Sequence, residues 1–143
     1  MNKKIVGSLL SIALISGCTT TPLPANMARP VPPDRLKISA IEPAKDAGLI
    51  VVTRDEGALG SACYLGFSID NDFKARFDVG ETARFPVAPG ERLIKVMSDP
   101  QARGLCAFDK GAVRETYIRP NETKYFRLLI DQSGVVDVQR TDQ

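Results

Sequence analysis

The chain has 143 residues, 43% of them hydrophobic, with 19 basic and 17 acidic side chains and neither histidine nor tryptophan. Without histidine, a Ser-His-Asp triad and the common structural zinc sites are excluded. The formal charge of +2 resides in Lys3 and Lys4; without them 17 basic residues face 17 acidic ones, which argues against a nucleic-acid-binding face.

Asn2-Lys3-Lys4 forms a short positive start, and Ile5 to Ile15 is apolar except for Gly7, Ser8 and Ser11. That run fits the roughly 7–15 residues of a signal-peptide core and falls short of the about 20 needed to span a bilayer. It ends in Leu14-Ile15-Ser16-Gly17-Cys18. A branched apolar residue and two small ones before a cysteine resemble a bacterial lipobox. The resemblance implies cleavage of residues 1–17 and lipidation of Cys18. Acylation at both the thiol and the new amino terminus would then give stable membrane attachment. Thr19, where Asp would retain a Gram-negative lipoprotein at the inner membrane, favours the outer membrane, with the protein on its periplasmic face.

From Thr19 to Pro43 the chain changes character, with Pro22, Pro24, Pro30, Pro32, Pro33 and Pro43 holding six of its ten prolines. Proline removes backbone donors and favours extended chain, so residues 18–43 are expected to be a disordered, semi-rigid tether. Arg29-Pro30-Val31-Pro32-Pro33 is alternatively a docking motif for a partner. Residues 44–143 then suffice for one core and not for two.

Leu49 to Arg54 is a continuous apolar, β-branched run, expected as a central or doubly covered strand. In Cys63 to Asp70, Cys63, Leu65, Phe67 and Ile69 share one face, which points Cys63 toward the core. Asp70-Asn71-Asp72 has strong turn chemistry. Phe73 to Val79, Thr82 to Val87 and Arg92 to Met97 follow as alternating strands, expected to form a meander with the strand before them. Ser98 to Gly104 is a loop, and Leu105 to Phe108 a short strand. Val113 to Ile118, Lys124 to Asp131 and Val135 to Arg140 complete the set. No segment sustains a helical period, so the expected fold is all-β, a single antiparallel sandwich of seven or eight short strands.

Cys63 and Cys106 are the two cysteines left after Cys18. In an oxidising compartment they are most simply a disulfide, worth on the order of 3–4 kcal/mol for a loop of about 40 residues. No Cys-x-x-Cys spacing is present to make them redox-active.

Gly60-Ser61-Ala62, Phe67-Ser68-Ile69-Asp70-Asn71 and Val87-Ala88-Pro89-Gly90-Glu91-Arg92-Leu93 resemble the small PEGA-like β-sandwich domains of bacterial envelope lipoproteins. The likeness covers about Ala47 to Met97 and continues loosely to Asp131. It departs from the pattern at Asn71, where glycine is usual, and in the cysteine pair. It implies a fold and carries over no functional residues.

Two surfaces are candidate partner contacts. One is the row Lys74, Arg76, Arg84 and Lys95, which meander pairing would gather on one sheet face; a plain solvated face is the alternative. The other is the loop carrying Asp99, Gln101 and Arg103, because loops often carry recognition. Asp70, Asp72 and Asp78 have no calcium-loop spacing, and Ser61 lacks a nucleophile elbow. No enzyme, metal or cofactor is expected. The expectation is a non-catalytic lipoprotein module acting through the membrane and an envelope protein partner. An accessory lipoprotein of a secretion, conjugation or pilus machine is one alternative, and a periplasmic inhibitor or exclusion factor another.

Overall fold

The computed structural model describes residues 20–37, 44–107 and 111–142. The leader, Cys18, Thr19 and residues 38–43 lie outside them. Among the described residues nine strands run in chain order: β1 (Arg29–Pro30), β2 (Gly48–Arg54), β3 (Leu65–Ile69), β4 (Asp72–Phe77), β5 (Glu81–Val87), β6 (Gly90–Ser98), β7 (Ala112–Ile118), β8 (Thr123–Ile130) and β9 (Val136–Thr141). They form a five-stranded sheet ordered β1-β5-β2-β8-β9 and a four-stranded sheet ordered β4-β3-β6-β7. The inner faces share one core, in a sandwich-like arrangement. Ile50, Val52, Phe85, Phe126, Leu128 and Val138 meet Leu65, Phe67, Phe77, Ile94, Val96 and Ile118 there. The Phe67 ring stacks on Phe85 and sets its edge against Phe77.

The all-β expectation holds, but the five-stranded sheet is mixed. β2 runs parallel to β8, and β1 runs parallel to β5. β2 lies between β5 and β8 and is buried almost throughout, as its unbroken apolar run predicts. The expected meander does not form. β3 and β4 make a hairpin, β5 crosses into the other sheet, and β6 returns to pair with β3. Period-two alternation tells which side of a strand faces inward; it does not tell which sheet the strand joins.

The β3–β4 turn explains the departure at Asn71. Asp70 (φ 51°) and Asn71 (φ 62°) both take left-handed backbone, the requirement of a two-residue hairpin loop that Asn and Asp meet nearly as well as glycine. A second correction concerns Leu105 to Phe108. Gly104–Cys106 is a 3-10 turn, entered through Gly104 at φ 59°, and not a strand. Phe108 lies outside the described residues.

The largest correction concerns the tether, because residues 20–37 are a strap bound to the domain. Thr21 pairs with Glu56 through both backbone hydrogen bonds (2.6 and 3.0 Å). Arg29–Pro30 is β1 itself, and the Val31 side chain is buried in the core. Leu36 then bridges Ala75, while the amide of Lys37 donates to the carbonyl of Lys74 (2.7 Å). The strap thus closes the side between β5 and β4. The motif Arg29 to Pro33, weighed as a docking site for a partner, docks on its own domain. Proline-rich chain suits this role because extended backbone lies along a sheet edge, and proline at a short edge strand costs no ladder bond.

Candidate interaction surface

One end of the strand bundle, here called proximal, gathers the end of β2, the ends of β4, β6 and β8, and the starts of β3, β5, β7 and β9. Buried charges organise it. Glu81, 1% exposed, starts β5, and Arg35 of the strap grips its carboxylate with both terminal nitrogens. The same carboxylate accepts the Asp78 amide (2.7 Å), which fixes the corner where the chain changes sheet. The Glu81 hydrogen bond is the main reason that the Arg35 guanidinium is pushed above its ordinary pKa.

Arg35 also lies 4.7 Å from the centre of the Tyr64 ring, and Arg76 lies 5.0 Å from it. Arg76 in turn donates through Nε and Nη2 to Asp99 (3.0 and 2.7 Å). A continuous polar seam, Glu81-Arg35-Tyr64-Arg76-Asp99, therefore joins the strap, β5, the approach to β3, β4 and the loop after β6. Each buried charge in it has more than one partner, the condition under which burial is tolerated.

Arg54, only 2% exposed, ends β2 and has no carboxylate in contact among the described residues. Its guanidinium donates instead to the carbonyls of Gly60 (2.8 Å), Cys63 (2.5 Å) and Phe77 (2.9 Å). Burial lowers its pKa to about 10, opposed by the nearby charges of Asp78 and Glu81. Beside it Asp55 is buried against Arg127, whose Nε donates to Oδ1 at 3.1 Å. Neither Arg54 nor Asp55 was singled out from sequence. The available signal was an Arg-Asp pair closing an apolar run, which reads equally well as the start of a solvated turn.

The disulfide between Cys63 and Cys106 is present, with Cα atoms 5.3 Å apart. It does not sit under the sheet as the alternation implied. β3 begins at Leu65, and Arg54 holds the Gly60 and Cys63 carbonyls outside the ladder. The bridge therefore staples two proximal loops, residues 56–64 and 99–107. Leu105, inside the second loop, is 101% exposed.

The row of cations is not gathered. Arg76 and Lys95 alternate with the inward Ala75, Phe77, Ile94 and Val96 on the outer face of the four-stranded sheet, Lys74 sits at a bulge where Phe73 instead takes the place opposite Ser68, and Arg84 lies on the outer face of the five-stranded sheet. Lys74 is bound to Asp72 and Arg76 to Asp99. In the nominated loop Asp99 is buried, its Oδ1 accepting the Gln101 amide (3.0 Å); Gln101 and Arg103 are exposed. Asp70 lies in the β3–β4 turn, where it accepts from Arg92 and from the Leu93 amide, Asp72 opens β4 and pairs with Lys37 and Lys74, and Asp78 lies at the corner before β5.

At the distal end an open depression of about 340 Å³ is lined by Asp70, Arg92, Leu93, Glu115 and Tyr117, among others. It borders β7, the outermost strand of its sheet. That exposed edge is guarded: the buried Lys124 reaches from β8 to donate to the Tyr117 carbonyl, and Arg114 donates to the Val113 carbonyl (3.0 Å) while pairing with Asp137 of β9 (2.7 Å). Cations laid on edge carbonyls deter the addition of another strand.

Among the described residues no helix is long and apolar enough to cross a membrane, and no cluster of His, Cys, Asp and Glu is placed to hold a metal ion. No family model and no curated protein matches the chain, so the likeness to PEGA-like domains rests on the residues quoted for it.

Proposed function

We propose that the protein is an outer-membrane lipoprotein presenting a PEGA-like β-sandwich as a non-catalytic interaction or structural module in the periplasm. The observation that carries this reading is Ile15-Ser16-Gly17-Cys18 at the end of a short apolar run behind two lysines. Two features support it. The Cys63–Cys106 disulfide suits an oxidising compartment, and the titratable groups of the proximal end are committed to one another rather than to an open cleft.

The test is envelope fractionation of the wild type beside Cys18→Ala. The wild type is expected in the outer-membrane fraction, and the variant as soluble periplasmic protein or uncleaved precursor. A variant that is fully processed and still membrane-bound would overturn the reading. Crosslinked pull-down from intact envelopes separates the module from a machine component: recovery of the protein alone counts against a secretion, conjugation or pilus assembly.

A further inference from the structure

The geometry points to the proximal end as a membrane-seated face, with the disulfide-stapled loop carrying Leu105 in contact with the bilayer that holds the lipid of Cys18. This inference rests on the lipoprotein reading and adds an orientation to it. Residues 19–43 as a free spacer would carry the domain about 75 Å from the bilayer, at about 3 Å per residue. The strap removes that distance. Thr20 donates through Oγ1 to Asp55 Oδ2 (3.0 Å), and the next residue is paired with Glu56. Only two peptide links separate Thr20 from Cys18, so their Cα atoms lie within about 7 Å of each other. A lipid on Cys18 therefore draws the end of β2, where Asp55 and Glu56 sit, down to the headgroups.

What that end displays fits such a surface. Leu105 is a full-sized apolar side chain with no cover, on a loop tied by Cys106 to Cys63 and so unable to fold its side chain away cheaply. Val135, on the β8–β9 turn at the same end, is also exposed. Arg103, exposed two residues before Leu105, supplies a guanidinium suited to lipid phosphate. An apolar tip flanked by a cation is the pairing that settles at a bilayer interface. The charge seam behind the loop keeps it in place, since Asp99 at its start is held by Arg76. In this orientation the depression beside Asp70 and Tyr117 faces away from the membrane.

The absence of tryptophan makes the test direct. Leu105→Trp and Tyr117→Trp each give the full-length lipidated protein a single indole, at the proximal and the distal end. Each protein is reconstituted into vesicles of phosphatidylethanolamine and phosphatidylglycerol whose acyl chains are brominated near the glycerol. Mass spectrometry of the Cys18 peptide establishes acylation, and circular dichroism the fold. Quenching several-fold stronger at position 105 than at position 117 is expected. Equal quenching, or stronger quenching at 117, with Cys18 acylated would overturn the seated orientation and leave the lipoprotein reading standing. An unmodified Cys18 would remove both.

Discussion

The two ends of the strand bundle are held by different physics. At the proximal end Glu81, Arg54, Asp55 and Asp99 are buried charges, each met by several partners, and a disulfide joins the loops above them. At the distal end the turns are short, Asp70, Glu91 and Glu115 are exposed, and the Asp70–Arg92 pair is partly open to water. The contrast shows where structure is irreplaceable. Buried polar groups punish the loss of any one partner, whereas solvent stands in for a lost partner at the surface.

The strap offers the strongest way to break this comparison. Starting the chain at residue 44, where composition alone drew the domain boundary, strips Glu81 of Arg35 and empties the site of Val31. The losses are about 3–5 kcal/mol for the orphaned buried charge and about 2 kcal/mol for the apolar side chain. Against total stabilities of about 5–15 kcal/mol, the shortened domain is expected to lose cooperative urea unfolding or to unfold at much lower urea. Arg35→Ala in the intact chain isolates the first part, at about 3–5 kcal/mol. Adding Glu81→Gln should recover a share of it, because the carboxylate then no longer pays for burial.

The staple comes next. Cys63→Ser with Cys106→Ser should cost on the order of 3–4 kcal/mol through the larger entropy of the unfolded chain. Reduction of the wild type should cost a similar amount and lower its urea midpoint accordingly. At the distal end Arg92→Ala should cost no more than about 1 kcal/mol, since Asp70 remains hydrated. A loss there as large as that of Arg35→Ala would erase the distinction between the two ends.

The smallest effect is an acid titration. Hydrogen bonds from Lys37, then from Lys74, lower the pKa of Asp72 to about 2. A carboxylate with a depressed folded pKa contributes stability that is present above its ordinary value near 4 and is lost as the pH falls toward 2. Asp72→Asn should therefore flatten the stability profile between pH 4 and 2, lowering stability at neutrality by the lost contribution and bringing it closest to the wild type near pH 2. Thermal unfolding across that range is the measurement.

Eight of the nine strands follow from alternation, β-branched runs and turn residues, with ends within about two residues of those seen. The cysteine pair followed from counting after Cys18 was set aside. The ninth strand, β1, is not legible locally because Arg29-Pro30 has no periodicity of its own and its partner lies some fifty residues away. The cation row failed for a related reason. Arg76 and Lys95 do share a face, but a bulge takes Lys74 out of the alternation, and Arg84 could be added only on the assumption that β5 joins the same sheet.

By itself, then, the sequence determined the local properties: the short apolar run ending in small residues and Cys18, which face of most strands is apolar, the left-handed turn at Asp70-Asn71 and the availability of two further cysteines. These depend on neighbours along the chain, and a few residues suffice to read them. Only the tertiary structure decided which sheet each strand joins, that the strap is part of the domain, and that Arg54 and Asp99 are buried anchors with Arg35 half-buried on Glu81. An arginine reads the same from its neighbours whether it meets water or Glu81; the difference arises when a sequence separation of forty-six residues closes and places the two together.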